Sequence, residues 1–215
     1  MTDDTSIKVL LVDDHAIVRH GLRDLLTGAG GIEIVAEAAN GIDAIRAARD
    51  SECTVMLLDI SLPDRNGIEV LKQIKKEKPA LAVLMLSMSQ EKLYAIRALR
   101  AGASGYLNKQ CAPQEIVAAV RQVANGLKYI SPELAQELAN QVGTDHDLPA
   151  HDTLSDREYQ TLTMIASGKT VSAIARELSL SVKTISEYRS RILVKMKLKN
   201  SAELTLYAIQ NQLME

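Results

Sequence analysis

Residues 55–67 read VMLLDISLPDRNG. Four apolar residues without polar alternation run into Asp59, and a Pro63-Asp64-Arg65-Asn66-Gly67 turn follows before the helical spacing of Ile68, Leu71 and Ile74 begins. A short apolar run that does not alternate fits a strand covered on both faces, as in a parallel sheet flanked by helices. The same unit recurs on either side. Apolar runs over 7–12, 32–36, 55–58, 81–86 and, more briefly, 105–107 alternate with helical spacing over 16–29, 41–49, 68–77, 92–101 and 113–125. Turn signals at Gly30-Gly31, Asn40-Gly41, Asn66-Gly67, Pro79 and Gly102 separate them. Five strands, each followed by a helix, predict an α/β domain with a five-stranded parallel sheet over residues 1–130.

The pattern stops after Gly126. Ser131-Pro132-Glu133 can open a short helix, with Leu134, Leu138 and Val142 along one side. Residues 143–153, GTDHDLPAHDT, show no periodicity, and 131–150 as a whole is the expected linker. Residues 151–215 predict a second, all-α domain of four helices. Ser155 and Glu158 have the capping-box spacing for a helix ending near Ala166, and Thr170, Ser181 and Ser201 are candidate caps for helices over 171–178, 182–196 and 202–211. The short turn at 179–181 predicts a helix-turn-helix, with Ile174, Ala175 and Leu178 facing Ile185 and Ile192.

The chain has 215 residues, 47% of them hydrophobic and 24% charged, with a formal net charge of -2. No apolar run approaches the length of a membrane span, and the acidic start MTDDT argues against a secretory signal. Cys53 and Cys111 are too few for a disulfide framework and read as reduced, incidental thiols, so the expected location is the cytoplasm. Charge is unevenly placed. Residues 1–130 are neutral, 131–150 carry four acids and no base, and 183–199 carry six bases against Glu187 alone. That basic window reads either as a solvated helix face or as a footprint for a polyanion.

In an open parallel sheet, chemistry collects at the carboxyl ends of the strands. The first strand ends in Asp13-Asp14, the third in Asp59 and the fourth in Ser87, while Lys109 follows the fifth. Three carboxylates at one edge repel one another and call for a cation, and hard oxygen ligands favour Mg²⁺. A lysine and a hydroxyl opposite them suit a phosphoryl group.

With Val12-Asp13-Asp14-His15, Leu58-Asp59, Leu62-Pro63 through Gly67, Leu86-Ser87, and Ala101-Gly102-Ala103 through Tyr106 and Lys109 to Pro113, residues 7–125 resemble the receiver domain of a bacterial two-component response regulator. The resemblance implies a flavodoxin-like (βα)5 fold with Asp59 as phosphoacceptor. It implies Mg²⁺ held by Asp13, Asp14, Asp59 and the Ser61 backbone carbonyl. Ser87 and Lys109 would contact phosphoryl oxygens, and Tyr106 would be the aromatic that reorients on activation. His15 would line or cap the first helix rather than bind metal. Lys109, a charge at the sheet edge, is expected to contribute mostly to function and little to folding.

Residues 154–210 resemble the LuxR-type helix-turn-helix of NarL/FixJ response regulators, on Leu154 through Glu158, Ile165 through Thr170, Ile174 through Ser181, Lys183-Thr184-Ile185 and Lys195 through Leu198. This implies Ser186, Glu187 and Ser190 facing base edges in a major groove. Lys183, Thr184, Tyr188, Arg189, Arg191 and Lys195 would face phosphates. Ser186 and Tyr188 depart from the Lys and His common at those places. The last helix, with Leu204 and Ala208, would pair with its copy in a dimer. Together the resemblances imply a transcription regulator controlled by phosphorylation and not an enzyme. Its partners would be a sensor histidine kinase, double-stranded promoter DNA, a second copy and RNA polymerase, with no membrane. Two other readings stand beside it. One is a Mg²⁺-dependent phosphatase passing through an aspartyl phosphate, although Asp59 is followed by Ile60-Ser61 rather than by a second nearby Asp. The other is a receiver-fold interaction module that is never phosphorylated.

Overall fold

The computed structural model describes residues 6–88, 92–131, 134–136, 149–211 and 213, with backbone alone at 92 and 93. They fall into two compact units dividing at residues 138 and 139. The first runs β1 (Ile7–Val12), α1 (Ala16–Gly28), β2 (Ile32–Ala38), α2 (Gly41–Asp50), β3 (Val55–Asp59), α3 (Gly67–Glu77), β4 (Ala82–Ser87), α4 (Lys92–Arg100), β5 (Gly105–Asn108) and α5 (Pro113–Ala124). The strands lie in the order β2-β1-β3-β4-β5 and every pairing is parallel. This is the five-stranded α/β arrangement expected from the alternating pattern. All residues of β3 and β4 are buried, which accounts for their lack of polar alternation. β2 runs two residues beyond the apolar stretch, to Ala38, because a register shift between Val9 and Leu10 carries its pairing with β1 past Glu37.

Strand order reverses beside β1, which has β2 on one side and β3 on the other. Such a reversal opens a crevice at the strands' carboxyl ends, where Asp13 and Asp59 lie. Gly67, the first residue of α3, lets that helix start against the end of β3. A Cβ there would meet the Asp59 carbonyl oxygen at 2.1 Å.

The second unit runs from a 3-10 turn (Ala150–Thr153) through α6 (Asp156–Ala166), α7 (Val171–Glu177), α8 (Val182–Lys195) and α9 (Ser201–Gln210). The Ser155–Glu158 capping box forms in both directions, and Thr170 and Ser181 cap α7 and α8. The cap of α9 is Asn200, not Ser201. Its side chain accepts from the Glu203 N–H at 3.0 Å, and Ser201 becomes the first helical residue. Both types cap well, so residue type alone does not choose between adjacent ones. Ser131 accepts from the Leu134 N–H, and 134–136 are helical. Leu138, Val142 and the proposed linker from 143 to 148 lie outside the described residues. Among the described residues no helix is long and apolar enough to cross a membrane.

Candidate functional site

The carboxyl ends of β1 and β3 bring Asp13 and Asp59 together, both nearly sealed from solvent (1% and 2% exposed). Lys109, one residue beyond β5, reaches between them. Its Nζ lies 2.5 Å from Asp13 Oδ2 and 2.9 Å from Asp59 Oδ2. The Lys109 N–H donates to the Ser87 carbonyl at 2.7 Å, so β4 and the residue after β5 fix the base of that side chain. Burial pushes the Asp59 carboxyl up from its ordinary value. Lys109 opposes this without cancelling it, and Asp13 adds to it. For Lys109 burial works against the charge, but Asp59 and Asp13 outweigh it and hold the ammonium above the ordinary lysine value.

Asp13 is oriented from several sides. Its Oδ1 accepts the His15 N–H at 2.8 Å, and its carbonyl accepts from Arg19 Nη1 at 2.6 Å. His15 is the first residue before α1, as expected, but its side chain does not cap the helix. The Nδ1 lies 2.7 Å from Asp14 Oδ1 and 3.3 Å from Asp13 Oδ1, so the ring belongs to the acidic cluster. Ligand-capable atoms of Asp13, Asp14, His15 and Asp59 lie within 4.8 Å of one another. Among the described residues, Asp13 Oδ2 and Asp59 Oδ2 are buried and face the Lys109 ammonium. Buried carboxylate oxygens with spare lone pairs are the donor set of a hard divalent cation, so the residues fit one. Ser87 ends β4 and is buried. Tyr106 is half-buried on β5 against Ala95, Ile96 and Leu134. Ser61 follows Asp59 on the loop into α3.

In the second unit α7, its short turn and α8 form the helix-turn-helix, with Ile174, Ala175, Leu178, Ile185 and Ile192 buried. Ser179 carries the turn at φ 52°. Ser186, Glu187, Ser190, Lys183 and Arg191 are exposed on α8, and Thr184, Tyr188 and Arg189 are half-buried. The Ser190 hydroxyl donates to the Ser186 carbonyl at 2.9 Å, and Arg191 lies 6.0 Å from the Tyr188 ring centroid. Lys195 is engaged differently from its neighbours: its Nζ bonds Glu158 Oε2 at 2.6 Å. Burial favours the neutral form of Glu158, but Lys195 and Ser155 overcome it and hold the carboxyl below its usual range. Leu204 and Ala208, expected at a dimer seam, are fully buried in α9, which packs on α6. An apolar helix stripe serves the core first, and α9 presents Leu206 and Ile209 outward instead (54% and 57% exposed).

Fold and site together define a phosphoacceptor domain joined to a helix-turn-helix domain. The comparisons with known proteins agree. Residues 9–121 match the response regulator receiver domain, and 152–208 match the luxR family of bacterial regulatory proteins. The chain belongs to the response regulators that carry a LuxR-type domain. It is similar to the response regulator UvrY of Escherichia coli (strain K12), at 38% identity over 96% of this chain and 95% of that one. Among solved structures it is similar to a LuxR-family two-component response regulator from Aurantimonas sp. SI85-9A1, with a TM-score of 0.60 at 37% identity over 65% of this chain and 99% of that one. It also matches the structure of two RcsB dimers bound to two parallel DNAs, with a TM-score of 0.60 at 26% identity over 94% and 97% of the two chains. The protein is thus a phosphorylation-regulated response regulator. It is a phosphoacceptor rather than a catalyst, which sets aside the phosphatase reading.

Proposed function

We propose that Asp59 accepts a phosphoryl group from a histidine of a sensor kinase, with Mg²⁺ held by Asp13, Asp14, Asp59 and the Ser61 carbonyl. Phosphorylation would promote dimerisation and binding to promoter DNA. The observation that carries this reading is Lys109 set between Asp13 and Asp59 at the switch point of the sheet. An Asp59 oxygen attacks phosphorus, the bond from phosphorus to the donor's ring nitrogen breaks, and that nitrogen keeps the electron pair. A bound Mg²⁺ supplies charge neutralisation for the phosphoryl oxygens. Lys109 is placed to pair with one of these oxygens and Ser87 to donate to another. Tyr106 then shifts within its packing beside α4.

The receiver spans 1–130, the linker 131–150 and the DNA-binding domain 151–215. In that domain Ser186, Glu187 and Ser190 face base edges, while Lys183, Thr184, Tyr188, Arg189, Arg191 and Lys195 face phosphates. The RcsB dimers described on DNA support both partners. The dimer seam lies along α9. The protein acts in the cytoplasm, with RNA polymerase as a further partner.

Intact-protein mass after exposure to acetyl phosphate tests the acceptor. Wild type should gain one phosphoryl group only with Mg²⁺ present, and Asp59→Asn should gain none. An acid-labile phosphoryl group on the Asn variant would refute the assignment.

A further inference from the structure

The loop from Ile60 to Asn66 carries the Ser61 carbonyl and joins β3 to α3. Its base is pinned within the site: the Ile60 N–H donates to the Leu86 carbonyl at 3.1 Å, and the Gly67 N–H to the Ile60 carbonyl at 2.8 Å. Ser61 and Asn66 face each other across a bridge. The Ser61 N–H also hydrogen-bonds the Asp59 carboxylate. The tip of the loop is tied to a different element. The Asp64 carboxylate crosses to the start of α2, where Oδ1 accepts the Gly41 N–H at 2.7 Å and Oδ2 accepts the Ile42 N–H at 2.9 Å.

α2 already has a cap of its own, because Asn40 accepts the Asp43 N–H at 2.8 Å. Asp64 therefore supplies the remaining free amides of the first turn from a distant segment. The contact is two-pronged and charge-assisted, and it places an anion at the positive end of a helix. The fit is close: a Cβ on Gly41 would meet Arg65 Cγ at 2.4 Å. The carboxylate is spent on α2 and stands outside the acidic cluster of Asp13, Asp14, His15 and Asp59.

We infer that Asp64 is a positioning residue for the phosphoryl-accepting site: by holding the 60–66 loop on the N-terminus of α2 it fixes the Ser61 carbonyl and N–H beside Asp59, and so sets the affinity for a divalent cation. The inference rests on the reading of Asp59 and Ser61 proposed above. Groups that orient a metal ligand without touching the metal change affinity by about 10–100-fold when lost.

The test titrates MgCl2 into the full-length protein by calorimetry and follows phosphoryl uptake from acetyl phosphate at graded Mg²⁺. Asp64→Ala should weaken Mg²⁺ binding by about tenfold. It should raise the half-saturating Mg²⁺ for uptake by the same factor and leave the rate at saturating Mg²⁺ unchanged. Asp64→Asn, which keeps one acceptor and loses the charge, should fall between, and it carries the comparison if the Ala variant does not fold. Asn40→Ala removes the helix's own cap without touching the loop, so it should lower thermal stability and leave Mg²⁺ affinity at the wild-type value. Wild-type affinity in both Asp64 variants, or an equal loss in Asn40→Ala, would overturn the inference. Phosphoryl uptake by Asp59→Asn would instead overturn the reading of the site, and the two failures are separate measurements.

Discussion

The Lys109 ammonium stands between two carboxylates that would otherwise repel each other out of reach of water, with its own side chain only 7% exposed. That placement bears on the expectation that an edge charge contributes mostly to function and little to folding. Removing one partner of a buried ion pair leaves uncompensated charge, at about 3–5 kcal/mol. In Mg²⁺-free buffer Lys109→Ala should therefore lose about 3 kcal/mol of stability. The sign for Asp59 runs the other way. Its folded carboxyl titrates above the unfolded value because burial disfavours the charge, so the folded state holds that proton more tightly. Its contribution to stability is greatest below the unfolded pKa and is lost as pH rises through the raised folded one. Asp59→Asn does not titrate there. Its stability relative to wild type should increase from about pH 4 toward neutrality. Urea unfolding followed by far-UV circular dichroism at several pH values checks both variants, and a gap that stays flat with pH would contradict burial as the dominant influence on Asp59.

Among the elements, α8 is where the proposed division between base-facing and phosphate-facing residues can be tested. Lys183 and Arg191 are exposed and Arg189 half-buried on the helix that carries Ser186, Glu187 and Ser190, with Arg189 and Arg191 at the flanks of that stripe. Replacing one of the three basic residues should weaken cognate and scrambled duplexes alike and reduce the slope of log K against log salt by about one. Replacing one of the small polar residues should cost about 1–3 kcal/mol on the cognate site and little on the other. Titrations at several salt concentrations decide it, and an Arg191→Ala variant that lost only cognate binding would make Arg191 a base reader. Elements of this kind were legible in the sequence because their signals are local. Non-alternating strands, the Ser155–Glu158 box and the Thr170 and Ser181 caps all lie within a few residues of what they control. The acidic pair, Asp59, Ser87 and Lys109 were legible as the first polar groups after apolar runs. Contacts across sequence distance were not. Asp64 meets amides on α2, Arg19 meets the Asp13 carbonyl, and Lys195 pairs with Glu158. In each case the residue type fits several partners and only the folded chain selects one. The apolar stripe of α9 is ambiguous for a related reason: periodicity marks an apolar face without saying whether its own domain or a second copy covers it.

At the scale of the whole molecule, Asp59 and the α8 surface belong to different units, so phosphorylation can change DNA affinity only by shifting states that differ at both places. If Tyr106 moves on phosphorylation as proposed, its packing offers one route for such a shift. Tyr106 packs beside α4 with Leu99, Ala95 and Ile96, and the same cluster holds Ile130 and Leu134, which lie beyond α5 in the chain that leads to the second unit. The Tyr129 N–H donates to the Ser104 carbonyl, so this segment also pairs beside the start of β5. A change at Tyr106 would therefore meet Leu134 in the same cluster, where Leu134 is 5% exposed. Leu134→Ala leaves the acidic cluster and Lys109 untouched, so phosphoryl uptake from acetyl phosphate should match wild type. The ratio of DNA affinities with and without phosphorylation, which for such coupling is about 5–150-fold, should shrink. The expected loss is about 0.5–2 kcal/mol of coupling, the range for residues that touch neither ligand. Binding of one duplex to wild type and variant, each with and without acetyl phosphate at equal measured phosphorylation, gives the ratio directly. An unchanged ratio at normal uptake would show that the signal leaves the receiver by another face.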